Sequence, residues 1–408
     1  MTVTIDDINA ATDLLRGQIV ATPTVASRTL SEITGARLTL KFENLQYTGS
    51  FKDRGALVKL AALSADEKRA GVIACSAGNH AQGVAYHAGR LGMPATIVMP
   101  RATPFGKVRS VEQLGARTVL HGADLQQAAD EARRLEAEHG LTFVHPYDDP
   151  AIIAGQGTVA LEMLAAAPDL DVLVIPIGGG GLIAGCAIAA KSIKPGIEIV
   201  GVESALYPSM RQAVNGVPST AGGFSIAEGI AVKAPGMITR PIVEALVDDL
   251  LLVAEPALEQ AVQLLIEVEK TVAEGAGAAA LAAILANPEK FAGREVGIIV
   301  SGGNIDARLL ANILMRGLVR DGRLAKIRIE ISDQPGTLAE VTRIIGDQGG
   351  NIVEVFHQRM FYDVPAMLAE LDVVVETRDA NHARKILATL EAQGYPTRLM
   401  GATESGGA

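Results

Sequence analysis

Residues 171–185 read DVLVIPIGGGGLIAG. A short apolar run rich in Val and Ile, stopped by a glycine turn, is a fully buried strand, and the apolar residues after the turn continue as a helix. Strand, tight turn and helix in that order form one half of a βαβ unit. The same alternation extends outward along the chain. Strands are predicted at RLTLKFE (37–43), GVIAC (71–75), ATIVM (95–99), IEIVGVE (197–203) and VGIIVS (296–301). Helix-length segments such as AADEARRLEAEH (128–139) and EQAVQLLIEVEKTVA (259–273) fall between them. The expected fold is therefore α/β, with mostly parallel sheets covered by helices. Ligands in such sheets bind beyond the carboxyl ends of the strands. Glycine-rich turns follow three predicted strands, SAGNHAQG (76–83), GGGGLIAG (178–185) and SGGNID (301–306), and point to one convergent site.

Four successive glycines at a helix start turn backbone N–H groups toward one point, where the helix dipole adds positive potential. That is an anion cradle suited to a phosphate. No Gly-Lys-Ser/Thr follows, so it is not a Walker A loop, and no acidic residue closes a second strand as a dinucleotide site requires.

The composition narrows the classes. Of 408 residues 49% are apolar, with no Trp, 6 Tyr and 8 Phe, and the net charge is -10. An acidic chain of this kind is not built for general nucleic-acid or anionic-membrane binding. Cys75 and Cys186 sit in apolar surroundings without metal-ligand spacing, and read as buried thiols of a reducing compartment. The N-terminus lacks a signal-peptide pattern, and the four glycines interrupt the most apolar stretch, so a cytoplasmic protein is expected. The length predicts more than one domain. After residue 320 a basic linker leads into a strand at 326–331, a turn at Asp333–Gly336, a helix, a strand from 351, two further strands and a second helix. This βαββαβ unit is assigned to 326–401, with 402–408 expected to be a disordered tail. Residues 1–320 form the larger domain, with a small lobe at about 45–147 and a large lobe made of 1–44 and 148–320.

Lys52, in ENLQYTGSFKDRGALVKL (43–60), stands where a loop enters a helix. A desolvated lysine amine at such a junction has a lowered pKa and is nucleophilic near neutral pH. A phosphate cradle together with such a lysine suggests pyridoxal 5'-phosphate, which needs an amine for its aldehyde and donors for its phosphate. Taken together, TGSFKDRGA (48–56), SAGNHAQG, IGGGGLIAG, EGAGAAA (274–280) and SGGNID resemble the fold-type II pyridoxal-phosphate enzymes of the tryptophan synthase β-like class. Within that class they resemble the threonine dehydratase (threonine ammonia-lyase) and serine racemase branch. The resemblance spans about residues 5–320, five motifs in the family's order. DQPGTLAEVTRIIGDQGGNI (333–352) resembles a single ferredoxin-like ACT domain, a regulatory amino-acid-binding module.

The resemblance implies that Lys52 is the Schiff-base lysine and Phe51 its neighbour at the cofactor ring. It implies that Asn79 bonds the phenolic oxygen and that Gly178, Gly179, Gly180, Gly181 and Leu182 hold the phosphate. Ser301 would face the pyridine nitrogen. Ser76, Ala77, Gly78, Asn79 and His80 would take the substrate carboxylate, with His80 orienting rather than titrating. Serine racemases of this branch carry a proton-transferring serine at the place of Ala77, so elimination is expected over racemisation. The implied activity is dehydration and deamination of threonine, and of serine, to 2-oxobutanoate or pyruvate plus ammonia. Lyases for other 3-hydroxy amino acids, such as 3-hydroxyaspartate or phenylserine, and a serine racemase stand as alternatives within the fold. A non-catalytic ACT-type sensor is the alternative from another class. Asp333, Gly336 and Asn351 mark the expected effector site, between paired modules of a homodimer or homotetramer. Relatives that bind a divalent cation place a carboxylate at Glu203 and a second nearby, where this chain has Ser209, so no metal is expected. Asp53 and Arg54 read as a surface ion pair, and His87 and His121 as structural or exposed.

Overall fold

Strand Val172–Pro176 lies inside a six-stranded sheet, paired in parallel with Glu295–Val300 on one side and Glu198–Ser204 on the other. Arg37–Phe42 and Asp249–Val253 extend the parallel part, and Thr24–Ser27 closes one edge in the antiparallel sense. The computed structural model describes residues 3–358, 365 and 367–400. A second, all-parallel sheet carries Arg117–Leu120, Ala95–Met99, Val72–Cys75 and Thr142–Phe143 in that order. The inner strands of both sheets are buried because helices cover both faces, the pattern of parallel sheets, while the edge strands are half-exposed.

Small residues set the spacing of those helices. Helix Pro150–Ala166, opened by an Asp149 cap and Pro150, crosses Gly181–Ile193 at Gly157 and Gly185. A Cβ on Gly185 would stand 2.2 Å from the Ile153 carbonyl oxygen, so the backbones touch there. The same helix packs on Lys52–Ala61, where a Cβ on Gly155 would lie 2.7 Å from the Gly55 Cα.

The chain divides into two compact units, Met1–Asp306 and Ala307–Ala408. The boundary thus falls before the expected residue 320, because helix Ala307–Arg320 packs on strand Leu324–Ser332 of the second unit. In that unit an antiparallel sheet runs in the order Asn351–Gln358, Leu368–Glu376, Leu324–Ser332, Thr397–Met400. Its two helices are Thr337–Asp347 and Ala380–Ala392. Ala325, Ile327, Ile329 and Ile331 alternate into its core, the period-2 signature of a one-sided sheet. The expected tail at 402–408 lies outside the described residues. No helix of the described residues is long and apolar enough to cross a membrane.

Candidate active site

The three glycine turns follow the carboxyl ends of Val72–Cys75, Val172–Pro176 and Glu295–Val300. The loop before Lys52 is tied to the last of them. Ser50 bridges Gly302, Phe51 N–H donates to the Ser301 carbonyl (3.1 Å), and Gly303 N–H donates to the Gly49 carbonyl (2.9 Å). Gly49 has φ +74°, which a side chain would strain, and a Cβ there would meet Asn304 Oδ1 at 2.9 Å.

Lys52 is the first residue of helix Lys52–Ala61. Its Nζ donates to the Pro146 carbonyl at 2.6 Å and stands 5.1 Å from the Phe51 ring centroid. Burial pushes the amine down to about 8, and the nearby Glu274 carboxylate opposes that shift.

Asn79 opens helix Asn79–Arg90 with both ends of its amide engaged. Its Oδ1 accepts from Asn304 Nδ2 (2.7 Å), and its Nδ2 donates to Glu274 Oε1 (2.6 Å). Asn304 Nδ2 also donates to the Thr48 carbonyl, so the row Thr48–Asn304–Asn79–Glu274 fixes the amide's orientation. Burial raises the Glu274 carboxyl to about 7, against the hydrogen bond from Asn79. Glu274 and Asn304 lie within the quoted motifs EGAGAAA and SGGNID, yet sequence reasoning gave neither a role. Glu274 carried a signal as the one polar residue of EGAGAAA, whereas Asn304 shares SGGNID with Ser301 and Asp306 and carried none.

The glycine turn is packed as well as donor-rich. Gly180 (φ +98°) caps helix Gly181–Ile193, and a Cβ on Gly179 would stand 2.3 Å from the Tyr147 ring. Among the described residues, none of the N–H groups from Gly178 to Leu182 donates to a protein acceptor. Consecutive orphan donors in a buried turn at a helix start are what a phosphate satisfies. The N–H groups of Ala77, Asn79 and His80 are likewise without protein acceptors, a second donor set suited to a carboxylate. Ser301 is buried, with its Oγ 3.4 Å from the Ala276 carbonyl. Gly78 N–H donates to Ser76 Oγ (3.2 Å).

Residues 144–148 link these parts, and only the structure shows them as one element. Pro146 receives Lys52, and Tyr147 lies on Gly179. Asp148 accepts from the N–H groups of Met237, Ile238 and Thr239. His145 Nδ1 accepts from the Asp148 N–H at 2.8 Å. His80 Nε2 meets the Val144 carbonyl at 2.9 Å, and burial drives His80 down to about 3. It is neutral and orienting, not an acid.

Three further expectations meet the structure here. The surface pair Asp53–Arg54 is overturned: both side chains are buried and neither binds the other. Asp53 takes the Thr48 N–H and hydroxyl, and Arg54 is clamped by Glu43 and Glu162. They face inward because Gly55 brings their helix against Pro150–Ala166. Glu203 accepts from the Met210 and Arg211 N–H groups (2.7 and 2.9 Å), and Ser209 Oγ donates to the Val232 carbonyl. Both thiols are free and buried, pushed up to about 12 by burial.

The profile of the family described as pyridoxal-phosphate dependent enzyme matches residues 15–302. The chain belongs to that family. Its cofactor class is the one the donor turn and lysine fit, and an ACT domain profile matches residues 325–394. An L-threonine ammonia-lyase of Thermotoga maritima is 43% identical over 98% of this chain and 100% of its own. The crystal structure of a threonine deaminase from T.th. superposes with TM-score 0.71 at 39% identity, over 74% of this chain and 99% of that one. A serine racemase from Dictyostelium discoideum gives TM-score 0.70 at 35% identity, over 75% and 100%. In this pyridoxal-phosphate family fold, the motif order read from the sequence holds throughout the first unit.

Proposed function

We propose that the chain is an L-threonine ammonia-lyase that also accepts L-serine, acting in the cytoplasm as a homo-oligomer. The observation that carries this reading is the Lys52 amine held at the Pro146 carbonyl, next to Tyr147, which lies on the unpaired donor turn Gly178–Leu182. When bound, pyridoxal phosphate supplies an electron sink that acidifies the α C–H of an amino acid joined to it. Lys52 is the imine lysine and, once displaced, the base that removes the α proton. Gly178 to Leu182 hold the phosphate, Asn79 the phenolic oxygen, Ser301 the ring nitrogen, and Phe51 packs at the ring. A hydroxyl at Ser301 keeps the sink weak, which favours loss of the β-hydroxyl over long-lived carbanion chemistry. In the loop Ser76, Ala77, Gly78, Asn79 and His80, the open N–H groups of Ala77, Asn79 and His80 would orient the carboxylate. The released unsaturated amine then hydrolyses to 2-oxobutanoate and ammonia. Glu274 and Asn304 fix the orientation of the Asn79 amide, whose remaining hydrogen would be available to the phenolic oxygen.

Ala77 separates this reading from racemisation, because a methyl group cannot return a proton to the opposite face. The test is a panel of threonine, serine, 3-hydroxyaspartate and phenylserine assayed for 2-oxo acid. Threonine is expected to give the highest kcat/KM. A faster reaction with either of the last two, or D-serine formation outrunning elimination, would overturn the assignment.

The lowered pKa gives a second expectation. Cofactor-free protein should recapture pyridoxal phosphate at a rate that rises with pH and levels off near 8. An ordinary lysine, with a pKa about two units higher, would keep rising. Only the neutral amine attacks the aldehyde, so capture slows as pH falls through 8. Stopped-flow absorbance of reconstitution reads this directly.

In the ACT domain, Gly336 (φ +96°) caps helix Thr337–Asp347 and Asn351 Nδ2 donates to Glu376. We assign Asp333, Gly336 and Asn351 to an amino-acid effector site between paired modules.

A further inference from the structure

A groove of about 580 Å³ opens in the first unit, lined by none of the residues placed at the active site. Its size falls in the range of small-molecule sites. The apolar side is made by Leu15, Ile19, Val20, Ala165 and Ala166, and its polar floor by Lys41, Thr158 and Glu162. Arg16, paired with Asp13, stands at the rim.

Lys41 and Glu162 belong to a buried quartet with Glu43 and Arg54. The Lys41 side chain is 2% accessible, Glu43 and Arg54 are 0%, and Glu162 alone is open, at 34%. Glu43 accepts from Arg54 Nε and Nη2 and from the Thr22 hydroxyl, and it is sealed from the groove. Glu162 Oε2 accepts from Arg54 Nη2 (2.8 Å) and Lys41 Nζ (2.6 Å), whereas Oε1 accepts from Arg54 Nη1 alone (2.6 Å). Lys41 spends two of its three N–H donors, on Glu162 and on the Thr22 carbonyl (2.7 Å). One acceptor position on Glu162 and one donor on Lys41 therefore remain, side by side on the groove floor. The two acids and two bases of the quartet cancel, so a ligand of net charge gains little there, while a zwitterion finds both partners. A buried ion-pair quartet is a weak source of stability, and one that opens at two complementary atoms under an aliphatic wall has the form of a binding site.

We propose that this groove binds a free aliphatic α-amino acid. Its ammonium group donates to Glu162 Oε1, its carboxylate accepts from Lys41 Nζ, and its hydrocarbon lies on Leu15, Ile19 and Val20. Occupancy is coupled to the active site by two short routes. Glu162 clamps Arg54, two residues beyond Lys52 on one helix. The helix that carries Glu162 also begins just after Pro146, the acceptor of the Lys52 amine. The kinetic part of the proposal rests on the threonine-lyase reading; the binding part does not.

The test titrates L-valine and L-leucine, which lack the β-hydroxyl needed for elimination, into the full-length holoenzyme by calorimetry, alongside threonine kinetics. The parent should bind one of them with a threonine KM shift of about fivefold or more, the ordinary range of coupling between sites. Ala165→Trp fills the groove from an exposed helix position and should abolish both heat and shift. Glu162→Gln keeps the shape, weakens the acceptor for the ammonium, and should loosen binding about tenfold. These titrations are compared in an Asn351→Ala background, which disables the assigned ACT effector site and should leave the groove's own heat and shift in place. Heat without threonine turnover, still abolished by Ala165→Trp, supports the groove while sinking the lyase reading. The proposal is overturned if the parent gives no heat, if Ala165→Trp retains it, or if Asn351→Ala alone removes it. It is also overturned if Ala165→Trp only dissociates the oligomer in sedimentation, which would make the groove an interface between copies.

Discussion

Lys52→Ala is expected to abolish threonine turnover by about 10³-fold or more, with the protein still folded. General-base catalysis alone contributes on the order of 10²–10⁴-fold, and here one amine is assigned both the covalent and the proton-transfer work, so the losses compound rather than add. The substitution should cost little stability. The removed amine is desolvated, with its pKa pushed down to about 8, and its one hydrogen bond goes to the Pro146 carbonyl. Removing it relieves a buried charge and frees one acceptor. The variant should therefore melt within a few degrees of the parent, lose the imine absorbance band, and still hold cofactor weakly through the Gly178–Leu182 donors. Turnover near the parent rate would refute the assignment of Lys52; a collapse in melting temperature would show that the residue is structural.

Arg54→Met is expected to have the largest effect on stability, about 3–5 kcal/mol, because it leaves Glu43 an uncompensated buried acid and Glu162 with Lys41 as its remaining cation. For a unit of this size that is a fall in Tm on the order of 5–10 °C. Its pH dependence distinguishes charge from packing. Burial tends to raise the Glu162 carboxyl, but Arg54 and Lys41 hold it below the usual carboxylate range. A depressed acid stabilises the folded state above its unfolded pKa, about 4.3, and loses that contribution as pH falls through the folded value. The Tm difference between parent and variant should thus be widest near pH 7 and narrow below pH 4. A gap independent of pH would assign the loss to packing.

The catalytic fold was legible because its signals are local. Val, Ile and Leu runs, three of them leading into glycine turns, marked six buried strands within a residue or so of their observed ends. Strands Thr24–Ser27, Arg117–Leu120, Thr142–Phe143 and Asp249–Val253 were missed because they are short, half-buried or flanked by charge, and carry little period. The glycine turn and Lys52 were singled out by their own chemistry, and Asn79 through family resemblance, which types residues by motif. What motifs cannot carry is a partner distant in sequence. Glu274 was invisible as the partner of Asn79 because 195 residues separate them. The HPYD segment, 145–148, contains no glycine signal, and its work is done largely by backbone carbonyls and caps. Arg54 was misjudged for a similar reason. A charged pair beside a loop lysine reads as solvated unless the small residues Gly55 and Gly155 are known to bring two helices into contact.

The strand Glu295–Val300 lies between Arg37–Phe42 and Val172–Pro176 and pairs with both. It is thus a central strand made of residues that leave the ribosome last within the first unit. Until it arrives, Arg37–Phe42 and Val172–Pro176 present open edges to each other's gap, and the loop that positions Lys52 lacks Ser301, Gly302 and Gly303 to hold it. Exposed edges of this kind recruit other chains. During synthesis the nascent unit is both inactive and adhesive for its first 294 residues, until the six-residue strand closes the gap and the turn Ser301–Gly303 behind it holds the loop.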